Sequence, residues 1–69
     1  MATNMQLLKA KIRERSMTQA QVATAIGMDE STLSRKLKAE GLSFSIGEMH
    51  KLAALLQLTA EEATRIFLA

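Results

Sequence analysis

The sequence predicts an all-α protein, a compact bundle of five helices built around one core. Its 69 residues have the length of a single domain, so we expect residues 1–69 to fold as one unit. Proline is absent and aromatic residues make up only 3% of the chain, while 48% of the residues are hydrophobic, mostly Ala, Leu, Met and Ile. This composition favours helices over sheets.

Five helix starts follow one another along the chain. In a capping box, a Ser or Thr side chain accepts a hydrogen bond from the amide three residues later, and the Glu or Gln side chain at that position accepts one from the amide of the Ser or Thr. Four such boxes are Thr3 to Gln6, Thr18 to Gln21, Ser45 to Glu48 and Thr59 to Glu62. A weaker start is predicted at Asp29, a favourable N-cap residue. The predicted helices span about residues 4–15, 18–26, 30–39, 45–57 and 60–68.

Each predicted helix carries apolar residues at helical spacing, which indicates the face that it buries. The stripes are Met5, Leu8 and Ile12; Val22, Ala23 and Ile26; Leu33 and Leu37; Ile46, Met49, Leu52, Ala53 and Leu56; and Ala63, Ile66 and Phe67. Gly27 and Gly41 follow the second and third helices, where a left-handed residue is expected. Gly47 lies in the first turn of the fourth helix. Close approach of a neighbouring backbone would offset its cost of about 1 kcal/mol there.

The composition excludes several kinds of site. With no cysteine and one histidine, the chain lacks the ligands of a structural zinc site, and we expect no metal, cofactor or small-molecule ligand. We expect no enzymatic activity, because His50 has no evident paired carboxylate with which to activate a serine hydroxyl. No apolar run approaches the ~20 residues that span a bilayer, and the N-terminus lacks a signal-peptide pattern. The sequence therefore predicts a cytoplasmic protein without a membrane partner.

The connection between the second and third predicted helices is short, since only Gly27, Met28 and Asp29 lie between them. Two helices joined in this way cross steeply, as in a helix-turn-helix, here from about Gln19 to Leu37. The segment from Met17 to Leu37 reads MTQAQVATAIGMDESTLSRKL. It resembles the phage repressor and Cro-like helix-turn-helix family, also called the XRE family. The resemblance extends over the flanking helices to nearly the whole chain, and it implies a lambda-repressor-like DNA-binding domain.

The resemblance also implies that the third helix enters the major groove of double-stranded DNA. The side chains expected to read base edges are Glu30, Ser31, Ser34 and Arg35, and those expected to contact the DNA backbone are Thr18, Gln19, Lys36 and Lys38. Arg35 is expected to make a bidentate contact to guanine, and Glu30 to accept from a cytosine amino group. The net charge of +2 and the pI near 9.4 are compatible with nucleic-acid binding without requiring it.

Simpler roles stay open for some of these residues. A carboxylate such as Glu30 is stabilised in the first turn of any helix, and cations such as Arg35 and Lys38 are stabilised in the last turn. Lys36 stands where the family usually has an apolar residue, so its aliphatic stem can instead lie over the core.

The C-terminal segment predicts a partner surface. Ile66, Phe67 and Leu68 are three consecutive bulky apolar residues, which cannot all point inward from one helix. We therefore predict that they form a homodimer interface, because two-fold symmetry would match a palindromic site with half-sites about 34 Å apart. The alternative is a frayed tail that packs partly on the first helix.

These features together predict a sequence-specific, double-stranded DNA-binding transcriptional regulator that acts as a dimer on an operator. The resemblance implies a repressor or Cro-like protein of a phage or mobile element, associated with the nucleoid of a bacterial or phage-infected cell. The alternative is a helical protein-interaction module, such as an antitoxin-like or antirepressor-binding domain, in which DNA binding is secondary. Arg35 separates the two hypotheses, since its loss should weaken DNA binding only if the first is correct.

Overall fold

A computed structural model describes residues 3–38 and 44–68 and has the predicted all-α architecture. Within these residues the helices are α1 (Met5–Glu14), α2 (Gln19–Ile26), α3 (Glu30–Lys38), α4 (Ile46–Leu55) and α5 (Ala60–Phe67), and no strand is present. Among the same residues, no helix is both long enough and apolar enough to cross a membrane. Helices α1, α2, α4 and α5 are one to three residues shorter than predicted, because residues at their ends serve as caps. The predicted end of α3 at residue 39 lies outside the described residues.

Three of the predicted capping boxes are confirmed and one is wrong. Thr18, Ser45 and Thr59 each accept from the backbone amide of the third helical residue, whose side chain accepts from the cap amide in return. At the start of α1 the cap is Asn4 instead of Thr3, with Asn4 Oδ1 accepting from the Leu7 amide at 3.1 Å. The physical reason is that Asn is at least as good a cap as Thr and lies one residue nearer the helix.

The connections α1–α2, α2–α3 and α4–α5 are built alike. Each contains a left-handed residue, an apolar residue and an N-cap in succession: Ser16, Met17 and Thr18; Gly27, Met28 and Asp29; and Gln57, Leu58 and Thr59. The amide of the apolar residue donates to the carbonyl five residues earlier, as from Met28 to Ala23 at 2.8 Å. This is the Schellman closure of a helix. The prediction for Gly27 is confirmed by its φ of 72°, whereas Gly41 lies outside the described residues.

The core draws on every helix. Its buried side chains are Leu8, Ile12, Val22, Ala23, Ile26, Leu33, Leu37, Phe44, Leu52, Leu56, Ile66 and Phe67. The predicted stripes of α2 and α3 are therefore confirmed in full. Helix α2 packs against α3 and α4, and α1 packs against α3 and α5. Contacts with α4 and α1 therefore hold α2 and α3 in place.

Two predictions for the start of α4 are wrong. Ile46 was assigned to the buried stripe, but its side chain is 74% exposed. Gly47 was expected to allow close approach of a backbone, yet among the described residues, and apart from the backbone of α4 itself, the atom that a Cβ there would meet is Ser45 Oγ, at 3.9 Å. The first turn of α4 extends beyond the core, so helical spacing alone does not bury its residues.

The C-terminal segment is a helix docked on α1, and Ile66 and Phe67 form neither the predicted partner surface nor the frayed tail of the alternative. Ile66 and Phe67 are 0% and 6% exposed, and the Asn4 amide donates to the Ile66 carbonyl at 2.6 Å. Both residues belong to the core of the single chain, which corrects their assignment to a partner surface. Leu68 follows α5 as its C-cap and is 53% exposed. Of the three apolar residues, only Leu68 has a large area to offer a partner.

Candidate nucleic-acid interface

Helix α3 has one buried side and one polar side. Leu33 and Leu37 are buried, with 0% and 2% of their surface exposed, and they hold the helix against the rest of the bundle. The exposed polar residues are Glu30, Ser31, Arg35 and Lys38, and Ser34 is half-buried. The four residues predicted to read bases are thus brought together on one short helix, and three of them are exposed.

The start of α3 is fixed by Asp29. Its Oδ2 atom accepts hydrogen bonds from the amide of Ser31, at 3.1 Å, and from the Ser31 hydroxyl. These two bonds from Ser31, with smaller contributions from the Thr32 amide and the charge of Arg35, lower the pKa of the Asp29 carboxyl. The prediction of a helix start at Asp29 is confirmed. The bond to the Ser31 hydroxyl was not predicted, although Asp and Ser two residues apart at a helix start are a local signal for it.

Arg35 is exposed near the middle of the polar side of α3. In the described part of the chain its guanidinium has no hydrogen bond or ion pair, and Asp29 acts on it only through charge. Five N–H donors in a rigid plane are therefore available to an external acceptor. Such a group matches the two major-groove acceptors of guanine.

Lys36 points towards α4 and away from the polar side of α3. Its Nζ atom lies 3.3 Å from Glu48 Oε1 and 5.4 Å from the centre of the Phe44 ring, and its side chain is 17% exposed. A bond from the Ser45 amide and then the Lys36 ammonium lower the pKa of Glu48. This geometry corrects the assignment of Lys36 to the DNA backbone and fits the packing role that was left open.

The start of α2 presents backbone amides and a hydroxyl group. Thr18 is exposed, and its Oγ1 accepts from the Gln21 amide at 3.1 Å, which leaves the hydroxyl proton for an external acceptor. Gln19 is half-buried as the first residue of the helix. The amides of Gln19 and Ala20 have no partner within the helix by virtue of their position, and the helix dipole favours an anion near them. A phosphate group fits this chemistry.

Lys51 is a cation that sequence reasoning missed. It extends from α4 to the turn between α2 and α3, where its Nζ atom lies 4.0 Å from the position that a Cβ at Gly27 would occupy. No local pattern predicts this contact, because it depends on how α4 packs against α2. The turn therefore carries a positive charge in addition to those of α3.

The residues described here offer hydrogen-bond donors, acceptors and cations on an exposed surface. Within residues 3–38 and 44–68, no three His, Asp or Glu side chains group as metal ligands would. The arrangement suits recognition of a polar, anionic polymer.

Comparison with known proteins identifies a family for this chain. No curated protein and no solved structure matches the chain. A family model described as the Cro/C1-type HTH DNA-binding domain matches residues 8–65, from within α1 to within α5. The chain accordingly belongs to the family of Cro/C1-type helix-turn-helix DNA-binding domains.

Proposed function

We propose that residues 1–69 act as one domain that binds double-stranded DNA sequence-specifically and regulates transcription. Helix α3 lies in the major groove, where Arg35, Glu30, Ser31 and Ser34 read base edges. The start of α2, with Thr18 and Gln19, and Lys38 at the end of α3 contact phosphates. Affinity and specificity then come from different residues.

The exposed Arg35 carries this proposal. Of its neighbours on α3, Lys36 and Leu37 are used by the fold and Ser34 is small. Lys38, the other exposed cation, stands at the end of the helix and is assigned above to a phosphate. Arg35 makes no hydrogen bond or ion pair within the described residues. Fixing its long side chain costs conformational entropy, and contact with a ligand would offset that cost. A bidentate contact to guanine would contribute about 1–3 kcal/mol of discrimination at one base pair.

We also propose that the protein binds its operator as a homodimer through the groove between α4 and α5. This groove has a volume of about 220 Å³ and is lined mostly by apolar side chains, including Met49, Ala53 and Ala63. Ile46 and Leu68, the two large exposed apolar residues of the described chain, both line it. A second copy would cover them, and its symmetry would match a palindromic operator.

The family resemblance supports a setting in a phage or mobile element of a bacterial cell, where a small repressor or Cro-like protein acts on DNA near its own promoter. The proposal places the protein in the compartment that holds that DNA.

The experiment is selection from a randomised duplex pool at several salt concentrations, followed by sequencing of the enriched duplexes. The proteins compared are the wild type, Arg35→Ala and the control Arg65→Ala. The control removes the same side chain and charge from α5, where Arg65 pairs with Glu61 at 2.6 Å. We expect the wild type and the control to enrich one palindrome and Arg35→Ala to lose the preference for guanine at one position in each half-site.

Two results would count against the proposal. If Arg65→Ala impairs enrichment as much as Arg35→Ala does, the effect is one of net charge and α3 is not the reader. If the wild type enriches nothing at any salt concentration, the domain is better explained as a protein-interaction module.

A further inference from the structure

A hydrogen bond in the first turn of α3 restricts what Ser31 can offer to a ligand. Asp29 Oδ2 is bonded both to the Ser31 amide nitrogen, at 3.1 Å, and to the Ser31 hydroxyl oxygen. The residue is nevertheless exposed, in the first turn of a helix that begins at Glu30. Its hydroxyl oxygen is therefore held in a fixed position on the accessible side of the helix.

The direction of this hydrogen bond follows from the charge of Asp29. The bonds from Ser31 lower the pKa of the Asp29 carboxyl, so the group is ionised at neutral pH. An ionised carboxylate only accepts hydrogen bonds, and a serine hydroxyl has a single proton. Ser31 must donate that proton to Asp29. Only lone pairs, which accept, remain on Ser31 Oγ for an external group.

We infer that Ser31 recognises its base by accepting a hydrogen bond, so that the base in front of it is adenine or cytosine and not guanine or thymine. The inference rests on the proposed function, because it requires α3 in the major groove. There, adenine and cytosine present an exocyclic amino donor, whereas guanine and thymine present acceptors. Asp29 is then a positioning residue that acts through Ser31.

The neighbouring side chains fit the same division of labour. Glu30 precedes Ser31 and, when ionised, is also an acceptor only. The first turn of α3 thus presents acceptors, which match amino groups, whereas Arg35, one turn later, presents donors, which match guanine. The first and second turns of α3 therefore match different kinds of base.

The test is selection from a randomised duplex pool with the wild type, Ser31→Ala and Thr24→Ala, followed by binding measurements on the enriched site. We expect Ser31→Ala to reduce the preference for an amino base at one position by about fivefold, the effect of one hydrogen bond. Thr24→Ala removes an exposed hydroxyl from α2, at a position outside the proposed set of DNA contacts, and should keep that preference. A duplex whose contacted base lacks the amino group should bind the wild type about fivefold more weakly and Ser31→Ala unchanged.

Asp29→Gly tests the positioning role, because glycine is tolerated at a helix N-cap at little cost in stability. It removes the carboxylate that accepts from Ser31 and so releases the hydroxyl proton for a base. We expect binding to persist while the preference for adenine or cytosine over guanine or thymine approaches equality. A uniform loss of affinity for all sequences would show that Asp29 only caps the helix and would overturn its role in selection.

The remaining outcomes separate the inference from the proposed function. A guanine or thymine preference that depends on Ser31, or a preference unchanged in Ser31→Ala, overturns the inference while leaving the proposed function intact. The absence of any enriched site for the wild type overturns the proposed function, and the inference with it.

Discussion

The Nζ atom of Lys36 lies 5.4 Å from the centre of the ring of Phe44, the residue that precedes the N-cap of α4. Glu48, in the first turn of α4, holds the same ammonium group at 3.3 Å. Helix α3 is thus tied to α4 by a cation that has an aromatic ring and a carboxylate as partners. We propose that Lys36 orients α3 and does not contact a phosphate.

Lys36→Met should therefore leave the salt dependence of DNA binding unchanged, since methionine replaces the aliphatic stem without a charge. Lys38→Met is the matched control on the exposed end of the same helix, and it should reduce the slope of log affinity against log salt by about one. Binding titrations at several salt concentrations measure both slopes. Equal reductions in the two variants would show that Lys36 contacts DNA after all.

The repeated connection between helices predicts opposite effects for substitutions at its left-handed position. Gly27 has a φ of 72° and Ser16 a φ of 54°. Gly27→Ala should lower the free energy of unfolding by about 1 kcal/mol, because a Cβ is disfavoured in that region. Ser16→Gly should raise it by about 0.5–1 kcal/mol for the same reason. Denaturant unfolding measures both changes, and a destabilised Ser16→Gly would contradict the argument.

Gly47 provides a contrasting case within a helix. Its φ is not in the left-handed region, and outside the backbone of α4 the nearest atom of the described residues to a Cβ there is Ser45 Oγ, at 3.9 Å. Gly47→Ala should therefore raise the free energy of unfolding by about 0.5 kcal/mol through the higher helix propensity of alanine. Thermal unfolding would detect this as a higher Tm. A lower Tm would indicate a steric role that the packing does not explain.

Local patterns account for what the sequence could predict. The capping boxes at Thr18, Ser45 and Thr59 involve residues only three apart, so each box specifies its own geometry. The left-handed conformations of Ser16 and Gln57 could not be read in this way. Neither position holds a glycine, so no residue type marks the left-handed conformation in the sequence.

In the candidate site, too, features set by one helix could be predicted from the sequence, and features set by packing between helices could not. The exposure of Arg35 follows from the stripe of Leu33 and Leu37, which is a property of one helix. The orientation of Lys36 and the reach of Lys51 depend on α4, which is distant in sequence. For Lys36 the only advance signal was its place at a position where the family usually has an apolar residue.

Acid should destabilise the protein through the pair formed by Lys11 and Glu62. The two atoms Lys11 Nζ and Glu62 Oε2 are 2.6 Å apart, and the Lys11 hydrogen bond is the first cause that lowers the pKa of Glu62 to about 2 from an ordinary 4.5. The unfolded chain therefore takes up this proton first as the pH falls. The stabilisation is complete above about pH 4.5 and is lost between there and about pH 2.

Glu62→Gln should reduce the slope of unfolding free energy against pH in this window, because glutamine keeps the capping box but does not titrate. Asp29 and Glu48, whose pKa values are also lowered, preserve part of the slope. Glu61→Gln removes a carboxylate that pairs only within α5, with Arg65, and serves as the control. An equal change of slope in both variants would mean that the Lys11 contact is not its source.

The proposed dimer gives the last prediction, since Ile46 and Leu68 are exposed by 74% and 53% at the same groove. Burying a leucine or isoleucine side chain contributes about 1.5–3 kcal/mol, so Leu68→Lys or Ile46→Lys should raise the dimer Kd by about tenfold or more. Ala54→Lys adds the same charge at an exposed position of α4 that does not line the groove. Sedimentation equilibrium over a range of protein concentrations should show weakened self-association in the first two variants alone. Because both sites are already exposed, circular dichroism should show the helices intact in all three. A wild type that is monomeric in solution and binds its operator as a single copy would overturn the proposed dimer.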